Sequence, residues 1–323
     1  MGSLLRADWL RIRRRWDVWI IVLGIPALAL LAYVTGAMSA GNTQIQTISS
    51  GDVPPEFQQQ AAAMVAAQNA AMQAFAALPY QFPRSIATMV GGATLWLVLG
   101  AAFLAASLLG SEFSWGTIRN VALFRPDRLR YLGARLAWLI GLVVVIFVAV
   151  VALGAIAPAL VRVDPGNPAA LTGDPSIMDM FPPGPTGPVS LGGALLVAGS
   201  LFCMALAGMA LAGLAALKFR STASGILVAG IYAIAEGILA SLWMSRAAGD
   251  LRYVPQMGLT IRLSALLGDA QVAAGLTTAG GGQSSSPGWV ALPPLLGAAI
   301  VAVWLLGLLG LWFVVLRRAD IDE

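Results

Sequence analysis

The chain has no histidine, one cysteine and one lysine, and only 11% of its 323 residues are charged. Without histidine there is no Ser-His-Asp or Cys-His nucleophile system and no imidazole ligand for zinc. With Cys203 alone, no disulfide can close within the chain, and a small thiol inside an apolar run reads as a packing residue. The one lysine, Lys218, stands in "LKFRS" with no glycine-rich loop before it, and no G-x-x-x-x-G-K-[ST] run occurs anywhere. The chain therefore lacks the usual cradle for ATP phosphates.

What is present in excess is apolar surface. Hydrophobic residues make up 59% of the chain and the mean hydropathy is +0.82, well beyond the usage of soluble domains. A hydrocarbon core about 30 Å thick needs about 20 apolar residues in a helix. Apolar runs and turn signals predict an all-α integral membrane protein, with one permease domain over residues 1–323. Its six membrane helices fall near 18–36, 86–110, 133–160, 190–217, 224–244 and 290–316. With the N-terminus inside, 14 of the 19 basic residues lie in inner segments; the other five are Arg84, Arg162, Arg246, Arg252 and Arg262. That asymmetry predicts a multi-pass protein with both termini cytoplasmic. It also accounts for the net charge of +4 and the pI of 9.7 without nucleic acid as a partner. The wealth of Ala, Gly and Arg points to a GC-rich bacterial genome, hence to a bacterial plasma membrane.

Residues 1–17 read as an amphipathic elbow helix lying in the membrane interface. At 100° per residue Leu5, Trp9, Ile12, Trp16 and Trp19 share a sector of about 80°, while Arg6, Arg11, Arg13, Arg14 and Arg15 lie outside it. The basic segment, apolar run and "AMSA" imitate a secretory signal, but the long amphipathic basic part favours an uncleaved anchor. Outside the membrane, residues 37–85 are expected to carry a helix that starts after Pro54-Pro55 and ends by Pro79. Its Phe57, Ala61, Met64, Val65, Met72 and Phe75 form one stripe, interrupted by Gln68, for packing on the bundle or on a second copy. The outer loop near 163–188 is rich in Pro and Gly. Its Asp164, Asp174 and Asp179 lack the alternation of a calcium loop, and no metal is expected. Residues 245–289 hold either a short outer helix or a re-entrant segment, followed by the linker-like "AGGGQSSSPG".

The inner connection at 111–132 is longer than a passive link requires. It runs "SEFSWGTIRNVALFRPDRLRYL". Gly116 permits a tight contact, Thr117 suits a helix cap, and Pro126 with Asp127 suits the start of the next helix. Glu112 offers a charge-assisted acceptor to a partner's arginine or to Arg119. The order Glu112, Gly116-Thr117, Arg119, Pro126, Arg128 and Arg135 resembles the first cytoplasmic loop of ATP-binding-cassette type 2 permeases. The resemblance implies a coupling helix between helices 2 and 3, with Glu112, Trp115, Gly116, Thr117, Arg119, Arg125 and Arg128 meeting an ATPase subunit. In the same way, Trp9, Arg13, Arg14, Arg15 and Trp16 would form the force-bearing elbow. It further implies two copies of a separate cytoplasmic ATPase, which would bind the ATP and Mg, and a second permease chain, identical or homologous. This chain itself would hold no cofactor, and the direction would be export of an amphipathic small molecule, antibiotic or lipid.

Inside the membrane the outstanding polar residue is Glu236, near the middle of the fifth span, where a carboxylate is costly unless it faces the bundle or a wet cavity. In the resembled family helices 2 and 5 line the path, which makes Glu236, Tyr232, Trp96 and Met89 the path candidates. The plain alternative for Glu236 is a structural hydrogen bond between helices. A proton- or ion-coupled carrier built on Glu236 is the second functional reading. A membrane enzyme is the third, disfavoured by the missing histidine and by the absence of paired acids at membrane depth. The i, i+4, i+8 seam Gly208, Ala212, Ala216 predicts close helix packing, not chemistry.

Overall fold

The computed structural model describes residues 6, 9–10, 12–41, 54, 57–114, 128–163, 190–244 and 294–318. Among these the regular structure is helical, with no strand. The long helices are α1 (Trp16–Gly41), α2 (Gln58–Ala77), α3 (Arg84–Ser114), α4 (Arg128–Leu160), α5 (Leu191–Phe219), α6 (Thr222–Met244) and α7 (Pro294–Arg318). Each predicted span has its helix, with ends shifted by a few residues. The shifts at the inner connection lengthen α3 to Ser114 and start α4 at Arg128, because a helix satisfies its own backbone where no neighbour does. The 111–132 loop thus begins and ends as helix, and Glu112 and Arg128 are helical residues. α1 likewise continues to Gly41, into the predicted 37–85 loop, and carries Pro26 inside its apolar run.

By length and hydropathy five helices suffice to cross a membrane: Trp16–Ala40, Gln58–Tyr80, Arg84–Ser111, Gly133–Leu160 and Leu191–Phe219. Gln58–Tyr80, predicted as an outer helix, is the least apolar of them, at a hydropathy of 1.2 against 2.0 to 3.2 for the others. α6 and α7 have shorter described apolar stretches, Thr222–Tyr232 and Ala299–Trp312.

α3 is the central helix, packed most extensively on α5 and also on α4, α1 and α6. Between helices in lipid there is little hydrophobic drive to associate, so close van der Waals fit must supply the attraction. Small residues make that fit here. A methyl at Gly208 of α5 would lie 3.3 Å from the Val98 carbonyl oxygen of α3. One at Gly225 of α6 would meet the Ala106 methyl and the Ala212 carbonyl oxygen at 2.7 Å, and one at Gly110 would meet Thr222 Cα at 2.8 Å. The seam Gly208, Ala212, Ala216 therefore serves two neighbours, α3 and α6. On the far side of α5, Trp312 of α7 lies fully buried with its indole against Gly213, and its Nε1 donates to the Ala210 carbonyl at 2.7 Å. α4 approaches α3 at Gly154, where the Ser85 hydroxyl donates to the Gly154 carbonyl at 2.7 Å.

These contacts fix the relative directions. α1, α4 and α6 run from the end that holds Arg15 toward the end that holds Tyr80, and α3, α5 and α7 run back. At the Tyr80 end the turn Leu78–Tyr80 is clamped by three contacts. Tyr33 donates to the Tyr80 carbonyl at 2.9 Å, Thr88 donates to the Pro79 carbonyl at 2.8 Å, and the Tyr80 hydroxyl rests on Gly36.

The face that α2 buries within its own chain is not the predicted stripe. Ala71, Ala74 and Ala77 are buried, whereas Phe57, Met64 and Phe75 of the predicted stripe are exposed. α2 packs on α1 and the Leu78–Tyr80 turn, and its buried residues are the alanines.

Candidate functional site at the Arg15 end

The N-terminal segment is helical at Arg6, Trp9, Leu10, Ile12 and Arg13 and breaks at Arg14 and Arg15, before α1 starts at Trp16. This corrects the single elbow helix over 1–17. Because the turn intervenes, Trp16 leaves the sector shared with Trp9 and Ile12, and stands 82% exposed. Ile12 is buried at 1% exposure. Trp9 stacks on Trp138 of α4, with centroids 5.3 Å apart, and meets Trp19 of α1 edge-on at 6.4 Å. Trp19 Nε1 donates to the Arg13 carbonyl at 3.2 Å. Arg13 and Arg14 are exposed, as an interfacial segment requires.

Arg15 departs from the expected interfacial face and turns inward. Its Nε and Nη2 donate to the two carboxylate oxygens of Asp17 at 3.2 and 2.8 Å. Nη2 also donates to Ser107 Oγ at 2.7 Å, and Nη1 to Ser111 Oγ at 3.1 Å. Ser107 Oγ in turn donates to Asp17 at 2.8 Å, so Arg15, Ser107 and Asp17 form a closed ring. Ser107 and Ser111 are buried and one turn apart on α3. The turn at Arg14–Arg15 supplies the direction, and the two hydroxyls supply acceptors that no purely apolar helix face would offer. Bidentate arginine–carboxylate pairing is stiff and directional. The cluster thus ties the N-terminal segment, α1 and the last turns of α3 together, ending at Ser111 beside Glu112.

The arrangement is a polar tie between helices. The Ser107 hydroxyl and the Asp17 carboxylate are both held by the Arg15 guanidinium, and among the described residues no group of three His, Cys, Asp or Glu side chains could hold a metal. Sequence reasoning missed it, although "RWD" at a membrane edge and paired serines in an apolar run were both visible.

The other predicted site residues scatter. Trp115, Gly116, Thr117, Arg119 and Arg125 lie outside the described residues, as do 164–189 and 245–293. Glu112, Arg128 and Glu236 are described as helical backbone. Met89 is 1% exposed, packed where Gly154 lets α4 come close. Trp96 stands 47% exposed on a stripe of α3 with Leu95, Leu99 and Phe103. Tyr232 instead packs with Cys203, Trp304 and Leu308 in the apolar cluster of α5 and α7. Met89, Trp96 and Tyr232 therefore do not share one surface.

The fold and this cluster define a class: a multi-pass helical membrane protein with its N-terminal segment locked to its central helix. Comparison with protein-family models, with curated proteins and with solved structures finds no match to the chain.

Proposed function

We propose that the chain is the permease subunit of an ATP-driven transporter, exporting an amphipathic small molecule, antibiotic or lipid from a bacterial cell. The observation that carries this reading is the Arg15–Asp17–Ser107–Ser111 cluster. It fastens the N-terminal segment to the same end of α3 that leads into the loop resembling a coupling helix. A displacement applied to that loop, or to the N-terminal segment, is then passed directly to the central helix of the bundle. The ATPase is a separate cytoplasmic subunit, present in two copies under a permease dimer and carrying ATP and Mg.

The directions of the helices support six crossings with both termini on the cytoplasmic side, and α2 as an outer helix. α1 ends and α3 begins at the Tyr80 end, so a single crossing by α2 between them would break the alternation. Alternating access of this kind requires that the ATPase make different contacts in its two states, and the loop from Glu112 to Arg128 is where they would fall.

Affinity purification from the native membrane, followed by an ATPase assay, tests the proposal. Wild type brings down a nucleotide-binding subunit with substrate-stimulated hydrolysis, and Glu112→Arg loses the subunit or the stimulation. A chain that purifies alone and is indifferent to Glu112→Arg overturns it.

A second reading, a proton- or ion-coupled carrier, draws on α6. Gly225, Ala229, Tyr232 and Glu236 follow one another at spacings of four, three and four, the register of one helix face. Gly225 and Ala229 on that face pack into the bundle. Transport that follows a proton gradient and ignores ATP would favour this reading.

A further inference from the structure

At the Tyr80 end, an open cleft of about 550 Å³ lies between the turn that precedes α3 and the end of α4. Its walls include Tyr80, Gln81, Phe82, Pro158, Val161 and Arg162. We propose that this cleft binds the anionic phosphate headgroup of a membrane lipid, with Arg162 as the anion-binding group.

Depth is the first argument. Arg162 lies two residues beyond the end of α4, and Gln81 three before the start of α3. At 1.5 Å per helical residue the cleft sits within about 5 Å of the ends of two membrane-length helices, where headgroups lie. The second is charge. Arg162 is exposed, and the ion pair Arg15–Asp17 lies at the opposite end of the bundle from it. A planar guanidinium matches phosphate oxygens with two parallel donors, and Gln81 adds an amide. The third is the character of the walls. Phe82 is 57% exposed at the rim, and Pro158 and Val161 continue the apolar wall beside it. Acyl chains would run down that apolar surface while the headgroup stays beside Arg162. A basic pocket at the edge of an apolar groove between membrane helices is the arrangement that retains anionic lipid. The volume falls in the range of small-molecule sites and leaves room for a headgroup and the first carbons of its chains.

The site stands apart from the ATP-coupling reading, since it lies at the opposite end of the bundle from Arg15 and Glu112. The test is native mass spectrometry of the full chain in detergent, titrated with phosphatidylglycerol or phosphatidylcholine. Wild type is expected to retain phosphatidylglycerol in preference to phosphatidylcholine. Arg162→Gln is expected to lower that retention about tenfold, the effect of one charge-assisted contact. Lys218→Gln removes one positive charge at the Arg15 end of the bundle and is expected to bind as wild type. Competition with inorganic phosphate separates the sources. Displacement by millimolar phosphate would show a site for soluble anions and overturn the lipid assignment, whereas resistance supports it. Equal retention in wild type and Arg162→Gln, or equal loss in both variants, overturns the site. Phe82→Ala gives a check that leaves the charge in place: it should weaken long-chain phosphatidylglycerol more than its short-chain analogue.

Discussion

At the scale of single residues, the bundle depends on places where a methyl group would not fit. Gly213 lies against the Trp312 indole, a rigid ring that cannot swing aside as a flexible chain would. Gly213→Ala should therefore destabilise the protein by about 1–3 kcal/mol through overpacking. Gly199, on the same helix, has open space at the corresponding position, and Gly199→Ala should be neutral or gain up to about 1 kcal/mol from helix propensity. Thermal unfolding of both variants in the same detergent checks the opposite signs. From the sequence alone these two glycines of α5 are indistinguishable, since nothing local marks the one that a tryptophan about a hundred residues later will cover. Met89 teaches the same lesson in reverse. Its place on a helix expected to line the path made it a candidate, and the close approach of α4 at Gly154 buries it within the chain.

Between elements, the strongest linkage described is the polar cluster that joins the N-terminal segment and α1 to α3. Arg15→Gln and Asp17→Asn should each cost about 1–3 kcal/mol, the scale of hydrogen bonds to charged groups. The double variant should cost less than the two added together, with a coupling of about 0.5–3 kcal/mol. Arg13→Gln, at an exposed position in the same segment, should stay within about 0.5 kcal/mol of wild type. Denaturant titration of the four proteins in mixed micelles measures the cycle, and strict additivity would show that the ring contributes nothing as a unit. The existence and order of the helices could be read from hydropathy because each crossing must satisfy its own backbone. The face that α2 buries could not. Its large apolar side chains gave the obvious stripe, but alanine packing on α1 and the Leu78–Tyr80 turn brought a different face inward.

For the whole molecule, the alternation of helix directions predicts that both ends of the chain lie on one side of the membrane. Fluorescent-protein fusions that mature only in the cytoplasm should glow at the N-terminus and at the C-terminus. An insertion between residues 164 and 189 should stay dark. A dark C-terminal fusion would remove one crossing and with it the six-helix topology. The same alternation places the Arg15 cluster and the proposed lipid cleft at opposite ends. Variants of Arg15 should therefore leave lipid retention unchanged, and variants of Arg162 should leave ATPase coupling unchanged.

The sequence by itself determined that this chain is helical, that it belongs in a membrane, and where its long described helices begin and end to within a few residues. Hydropathy and backbone hydrogen bonding are local and leave few alternatives over twenty apolar residues. It also made visible the loop from Glu112 to Arg128, whose residue order carries the resemblance to a coupling loop. Only the tertiary structure decided that Arg15 turns inward to Asp17, Ser107 and Ser111, and that Arg162 and Phe82 share a cleft. Apart from Arg15 with Asp17, two positions away, those pairings join residues 80 to 96 positions apart, and they depend on helix rotation and on the depth at which glycine lets two helices meet. No local pattern encodes either quantity.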